Sequence, residues 1–444
     1  MRPNPILFFG VVTLLAVTIH LYLWWRLVHG TTRSPRYRRL GAIAIAALGV
    51  LGLVGFLVTR TVAVDTEWLA WLGFGWMALM FYLVLTLLGL EIPRAAYTLW
   101  LRRGTRLSAA APSPQADLDR GPETASRANS TPGGTVARTP TVTRPRPTRE
   151  DPAGRDGSNT RSGSADPDRR LFLARACAVA ACGVAAGTVG YGVRTAFGDL
   201  RTVRATAPVA GLDPRLSGFR IAVVSDTHFG PFLRQELADR IVTVVNREQA
   251  DMVVIVGDLA DGSVEEVGYA TEPLRGLRSR QGTFFVTGNH EYSSGADAWV
   301  DRVRELGMRP LLNERVEITA NGAAFDLAGV NDLMAPMYDA QGPDFAAALG
   351  GRDPGRPALL LAHQPVQVHE AVKYGVALQL SGHTHGGQTV PFDRLVGIQQ
   401  PVLAGLARSG DTALFVTRGA GFFGPPIRAG IPPEVAIVKL QAQS

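Results

Sequence analysis

The chain has 444 residues, 46% of them hydrophobic, a formal net charge of +7 and only two cysteines, Cys177 and Cys182. The charge is uneven: residues 1–196 hold 23 Lys+Arg against 11 Asp+Glu, whereas residues 197–444 hold 22 against 27, so nets of +12 and −5 make up the total. A basic footprint confined to the N-terminal half argues against nucleic acid as the partner of the C-terminal half, and two cysteines inside one apolar stretch cannot supply it with a disulfide framework.

Three charge-free apolar runs open the sequence, at about 5–25, 40–59 and 68–90. Each is close to the roughly 20 residues that a bilayer-spanning helix needs. Trp24, Trp25, Trp68 and Trp71 stand at their ends, where aromatic belts form. Residues 1–102 are therefore expected to carry three transmembrane helices. Residues 103–168 are rich in Pro, Gly, Ser, Thr and Arg and nearly devoid of large apolar residues. Such a segment cannot bury enough surface to offset its ordering entropy, and it is expected to be a disordered cytoplasmic linker.

Residues 169–196 hold a fourth, weaker apolar stretch, preceded by Arg169-Arg170-Leu171-Phe172-Leu173. That pentad resembles a twin-arginine export signal; an ordinary transmembrane helix with a basic flank is the other reading. Arginine counts orient the helices. The loop between the first two runs carries Arg26, Arg33, Arg36, Arg38 and Arg39, and the next loop only Arg60. Fifteen arginines then lie between Arg94 and Arg175. The positive-inside rule puts the first loop and the linker in the cytoplasm. The fourth helix then runs outward, and residues 197–444 are expected outside the cell membrane of a multi-pass protein.

Residues 197–444 read as an α/β domain. Short β-rich runs at 219–225, 251–258, 283–289, 358–364, 376–382, 412–418 and 434–440 alternate with helical patterns, the clearest at 231–249 with Leu233, Leu237, Ile241 and Val244/Val245 on one face. Asn321-Gly322 between two β-type runs predicts an antiparallel hairpin. Alternation with hairpins added predicts a layered α/β fold with mixed sheets.

Metal-type ligands follow these strands one after another. "VVSDTH" offers Asp226 and His228, "VIVGDL" Asp258, "FVTGNHE" Asn289 and His290, "LLLAHQ" His363, and "LSGHTH" His383 and His385. Five of the eight histidines of the chain lie in these motifs. In an extended segment residues i and i+2 point the same way, so Asp226/His228 and His383/His385 are each expected to offer two ligands to one spot. Glycines at 257, 288, 382, 386 and 387 are expected to supply left-handed turns there. Carboxylate, imidazole and amide oxygen together suit first-row divalent or trivalent metals (Mn, Fe or Zn) better than Ca²⁺. A pair of such ions roughly 3.5–4 Å apart can clamp a phosphate and activate water, and a histidine that is not a ligand can protonate the leaving alkoxide.

The series D-x-H, G-D, G-N-H-[DE], H and G-H-x-H, in order over about 220–390, resembles the calcineurin-like metallophosphoesterases. The G-H-T-H-G-G-Q turn at 382–388 and the tail from Thr417 resemble their bacterial membrane-associated branch. The resemblance implies an α/β/β/α sandwich and a pair of metal ions. Position by position, it gives Asp226, His228 and His385 to one ion and Asn289, His363 and His383 to the other. Asp258 would bridge them, and His290 would be the catalytic histidine. It implies hydrolysis of a phosphodiester or pyrophosphate, with lipid-linked or nucleotide-type substrates suggested. Arg418 and Arg428 match phosphate-gripping chemistry or surface ion pairing, and Glu291 and Tyr292 are candidates to support His290. The competing expectation is a membrane sensor or scaffold whose C-terminal domain binds metal without catalysis.

Overall fold

The apolar runs of the N-terminal half are helical. A computed structural model describes residues 5–61, 67–109 and 167–443. Helix α1 (Pro5–Leu23) ends in a wider π turn (Trp24–His29) and is followed by α2 (Pro35–Thr61), α3 (Glu67–Ala109) and α4 (Pro167–Ala196). Among the described residues four stretches are long and apolar enough to cross a membrane: Gly10–His29, Pro35–Gly55, Trp68–Pro93 and Asp168–Ala196. Gly55 of α2 meets Gly73 of α3 so closely that a Cβ on either would come within 2.6 Å of the other's Cα. Small residues at a crossing let two backbones approach in this way. His20 spends both ring nitrogens among these helices: Nδ1 donates to the Ala16 carbonyl (2.8 Å) and Nε2 accepts from Trp76 Nε1 (3.2 Å).

The chain divides into two compact units, Met1–Leu88 with Leu171–Ser444, and Gly89–Arg170. In the second, the expected linker begins too early. α3 continues to Ala109, because "LWLRRGTRLSA" is dominated by residues that favour helix. Residues 110–166 of the expected linker lie outside the described residues, and 167–168 open α4.

Two six-stranded sheets form the C-terminal domain. The strands are β1 (Arg201–Val209), β2 (Arg220–Val224), β3 (Met252–Val256), β4 (Thr283–Val286), β5 (Arg309–Pro310), β6 (Glu314–Ala320), β7 (Ala323–Gly329), β8 (Ala358–Leu361), β9 (Val376–Ser381), β10 (Gly405–Ser409), β11 (Thr412–Val416) and β12 (Glu434–Ala442). One sheet runs β1-β12-β2-β3-β4-β5, the other β10-β11-β9-β8-β7-β6. Both are mixed: β2, β3, β4 and β5 are mutually parallel while β12 is antiparallel to β2, and β7, β8, β9 and β11 are parallel while β6 and β10 are antiparallel. The β6–β7 hairpin turns at Asn321-Gly322, both with positive φ (52° and 74°), as the dipeptide predicts.

Alternation along each central strand decides the layers. Ile221 and Val223 face the second sheet, whereas Ala222 and Val224 face helices, and Met252, Val254 and Val256 alternate with Val253 and Ile255 in the same way. Because both faces are covered, these strands read as unbroken apolar runs. Phe219 and Phe325 meet edge-to-face between the sheets at 5.4 Å. The outer face of the first sheet is covered by α5 (Gln235–Glu248), through Leu237, Ile241 and Val245, and by Trp299. The short helix α6 (Val264–Val267) and the turn α7 (Asn289–Ser293) precede α8 (Ala296–Glu305), which carries Trp299. α9 (Phe345–Leu349) and α10 (Val368–Ala371) cover the second sheet, and α11 (Asp393–Val396) follows the last ligand turn. The arrangement is the expected α/β/β/α sandwich. Trp71 of α3 stacks on Phe197 at 5.5 Å, and Arg428 N–H donates to the Gly192 carbonyl of α4 (2.9 Å), so the domain starts against the beginning of α3 and the end of α4.

Candidate metal centre

All the ligand-type side chains leave from carboxyl ends of strands. Asp226 and His228 follow β2, Asp258 follows β3, Asn289 and His290 follow β4, His363 follows β8, and His383 and His385 follow β9. Loops at strand ends escape the sheet's hydrogen-bond ladder and gather side chains from neighbouring strands into one crevice. Three clusters form, each with its ligand atoms within 4.8 Å of one another: Asp226/His228/His385, His228/Asp258/His290, and Asp258/His363/His383. Among the described residues, Asp258 and His228 each belong to two of them.

The backbone reaches this arrangement differently from the sequence expectation. Asp226, His228, Asp258, His383 and His385 have positive φ, between 45° and 70°. They are left-handed rather than extended, at a cost of roughly 1–3 kcal/mol each. The i, i+2 argument from extended geometry therefore does not describe these turns. His383 and His385 point into different clusters, one with His363 and one with His228. Gly382 serves close approach, not positive φ: a Cβ there would strike Ser225 Oγ, Asp226 Oδ2 and, at 2.7 Å, Ser225 Cβ.

Hydrogen bonds fix the donor atoms. Asp226 accepts His383 N–H at 3.0 Å, and Asp258 Oδ1 accepts His290 N–H at 2.9 Å. His363 spends Nδ1–H on the Val256 carbonyl (2.7 Å), so its Nε2 faces Asp258 Oδ2 at 3.1 Å and His383 Nδ1 at 3.2 Å. Nε2 atoms of His228 and His385 face each other at 3.0 Å. Acceptor atoms crowded this closely call for a cation or extra protons between them. Asn289 Oδ1 is buried and has no hydrogen-bond partner; such an orphan normally costs about 1–3 kcal/mol. Carboxylate, imidazole and an idle amide oxygen fit first-row metal ions.

The charges agree with that fit. Burial and neighbouring His363 push His383 down to about 3, and burial, His228 and Arg428 push His385 well below the usual range. Both rings are thus neutral near neutral pH. Burial opposes a charge on His363, but Asp258 overcomes it and raises the ring well above the ordinary value. Without a cation His363 carries a proton, and a binding metal must displace it. Metal affinity is therefore expected to increase as pH rises through the neutral range. Calorimetry in buffers of different ionisation heat should show proton release on loading; none would contradict the assignment of His363.

Two carboxylates that the sequence reading did not place as ligands hold the site together. Asp261 Oδ1 accepts from His228 Nδ1 and from His290 Nδ1, both at 2.7 Å. Burial opposes charge on His290, yet Asp258 and Asp261 raise the ring to about 10. The fully buried Glu291 accepts Asp258 N–H (3.0 Å), Leu259 N–H (2.6 Å) and Gly288 N–H (2.6 Å), tying two ligand turns to each other. Tyr292 Oη bonds to Thr287 Oγ1 (2.9 Å). Arg428 is fully buried, with Nε on the Gly421 carbonyl (2.7 Å) and the guanidinium on His385 Nδ1 (2.9 Å) and the Arg418 carbonyl (2.9 Å). Arg418 pairs with Glu434 at 3.3 Å. Arg428 stands behind His385, and both arginines are bonded to protein groups. Asp261→Asn is expected to cut turnover by about 10–100-fold, the usual cost of losing a ligand's supporting partner. It should also move the alkaline limb of the pH–rate profile downward, because one of the charges raising His290 is gone. An unmoved limb would show that Asp261 does not act through His290.

Residues 219–387 match the family described as calcineurin-like phosphoesterase. A metallophosphoesterase of Aquifex aeolicus is 34% identical over 235 residues, covering 52% of this chain and 88% of that one. The chain belongs to the calcineurin-like metallophosphoesterases. A Bos taurus transmembrane protein with a metallophosphoesterase domain is 37% identical over 292 residues, 63% of this chain and 65% of that one. A Helicobacter pylori metallophosphoesterase is 39% identical over 231 residues, 52% of this chain and 61% of that one. The chain thus spans less than two thirds of the length of these two relatives. The motif residues that resemble this family, read in order along the chain, are those gathered at the strand ends.

Proposed function

We propose that this chain is a membrane-anchored phosphoesterase that hydrolyses a phosphodiester or pyrophosphate bond. The observation that carries the reading is Asp258 Oδ2, which faces His363 at 3.1 Å and His228 at 3.9 Å, one from each proposed ligand set, beside the partnerless Asn289 Oδ1. Asp226, His228 and His385 would hold one first-row cation and Asn289, His363 and His383 the other, with Asp258 bridging. Two such cations supply the Lewis acidity that phosphoryl transfer to water needs. The chain's own contribution is positional and protonic. His290 is held through Nδ1 by Asp261, which leaves Nε2–H to protonate the departing oxygen. The raised His290 pKa, about 10, keeps that proton in place at neutral pH. Asp261 orients His228 as a ligand by accepting its Nδ1–H.

The arginine distribution supports a cytoplasmic first loop and a domain on the outer face, and Arg169-Arg170 supports export of an already folded, metal-loaded domain. Attachment by four apolar helices fits a phosphoester carried on a lipid. In the full-length protein, bis-p-nitrophenyl phosphate should be cleaved with Mn²⁺ present, and chelation should stop it. Binding of Mn²⁺ without cleavage would favour a sensor or scaffold instead. Protease added to intact cells should degrade residues 197–444; full protection would overturn the orientation.

A further inference from the structure

The segment that follows the last ligand turn is unusually apolar for a surface. Val390, Phe392, Leu395 and Ile398 are 48%, 42%, 57% and 79% exposed. A contiguous apolar patch of this kind marks an interaction site. Its neighbour is α3. Tyr82 Oη hydrogen-bonds Thr389 Oγ1 and donates to the Val390 carbonyl at 2.8 Å, and Phe81 meets Phe392 edge-on at 6.1 Å. Tyr82 lies near the middle of the Trp68–Pro93 span, eleven residues beyond Trp71. That is roughly 16 Å further along the helix axis at 1.5 Å per residue. Trp71 itself stacks on Phe197, where the domain begins. The domain therefore follows α3 from the tryptophan end toward mid-span, and residues 389–398 touch it at the deep end.

We propose that residues 389–398 are immersed in the bilayer beside α3, with Phe392, Leu395 and Ile398 against lipid acyl chains. The charged pair in the segment is compatible with this. Asp393 packs inward on the Gly387 turn, and its Oδ1 is buried. Arg394 is exposed, and immersion would draw water and headgroups in toward its guanidinium. The segment is also coupled to the metal centre. Gln388, its neighbour, donates from Nε2 to the Phe423 carbonyl (2.8 Å) and accepts Phe423 N–H on Oε1 (2.9 Å). The Phe423 ring lies 5.0 Å from His290 and 5.7 Å from His228. The rim of the cleft is thus one side chain away from the immersed segment.

The inference rests on α3 spanning the membrane, and its test needs no turnover. Full-length protein carrying Cys177→Ala and Cys182→Ala is reconstituted in phosphatidylcholine nanodiscs with a nitroxide at Ile398→Cys. Leu395→Cys serves as a second labelling site in case the first variant misfolds. Spin relaxation is read with oxygen, which partitions into acyl chains, and with a nickel chelate, which stays in water. Oxygen should dominate at 398 and 395, whereas Asp301→Cys on α8 should respond to nickel. Nickel dominance at 398 and 395 would overturn the proposal. Protection from both reagents would overturn it as well, since the patch would then be covered by protein, such as a second copy. Failure to hydrolyse a soluble diester, with the oxygen result intact, would defeat the proposed activity and leave this inference standing.

Discussion

His290→Ala should keep its metal and lose turnover by about 10²–10⁴-fold, the range that positioned proton transfer contributes. His290 makes its side-chain bond to Asp261 and its backbone bond to Asp258, so removing the ring leaves the Asp258 carboxylate and its neighbours in place. The loss should depend on the leaving group. An alkoxide needs the proton and should show the full effect, whereas p-nitrophenolate leaves without help and should show much less. Turnover of alkyl and nitrophenyl diesters, with metal content measured on the same samples, separates the cases. Equal losses on both substrates, or loss of metal, would show that His290 is not the acid.

Asp258→Asn should fail at an earlier step, with metal lost before chemistry is reached. The substitution keeps the size of the side chain and leaves the backbone bonds from Asp258 and Leu259 to Glu291 untouched. It removes the one carboxylate that faces His228 at 3.9 Å and His363 at 3.1 Å. Removing a supporting partner costs about 10–100-fold in metal affinity; a shared ligand should cost more than about 100-fold, and turnover should fall with it. Metal analysis after dialysis, with circular dichroism to show the fold intact, reads the result. Full metal retention would sink the bridging role.

The legible part of this protein was its chain order. Central strands declared themselves because both faces are buried, and five of them, β2, β3, β4, β8 and β9, each end within two or three residues of a candidate ligand. Edge strands did not. β1 carries Arg201 and Arg204 among small residues, and β10 is five half-exposed residues, so neither presents an apolar run. Motif order picked out the candidate ligands that the structure brings together, but it did not show the turns. Five of the candidate ligand residues adopt left-handed backbone, which stays uncommon even for Asp and His, the types most often found there after Gly and Asn, so the sequence does not say which of them turn. Asp261 carried one weak signal, a second acid three residues after Asp258, and its link to two histidines exists only in three dimensions. Arg428 illustrates the opposite problem. An arginine near a tail glycine reads as a phosphate grip, yet burial placed it against His385 and backbone carbonyls.

The proposed chemistry needs a pair of cations sharing Asp258. Electron paramagnetic resonance on the full-length protein titrated with Mn²⁺ tests it most directly. A spin-coupled pair should appear as the second equivalent binds, and it should vanish in Asp258→Asn. An isolated-ion spectrum throughout the titration, with turnover already complete at one equivalent, would contradict the account.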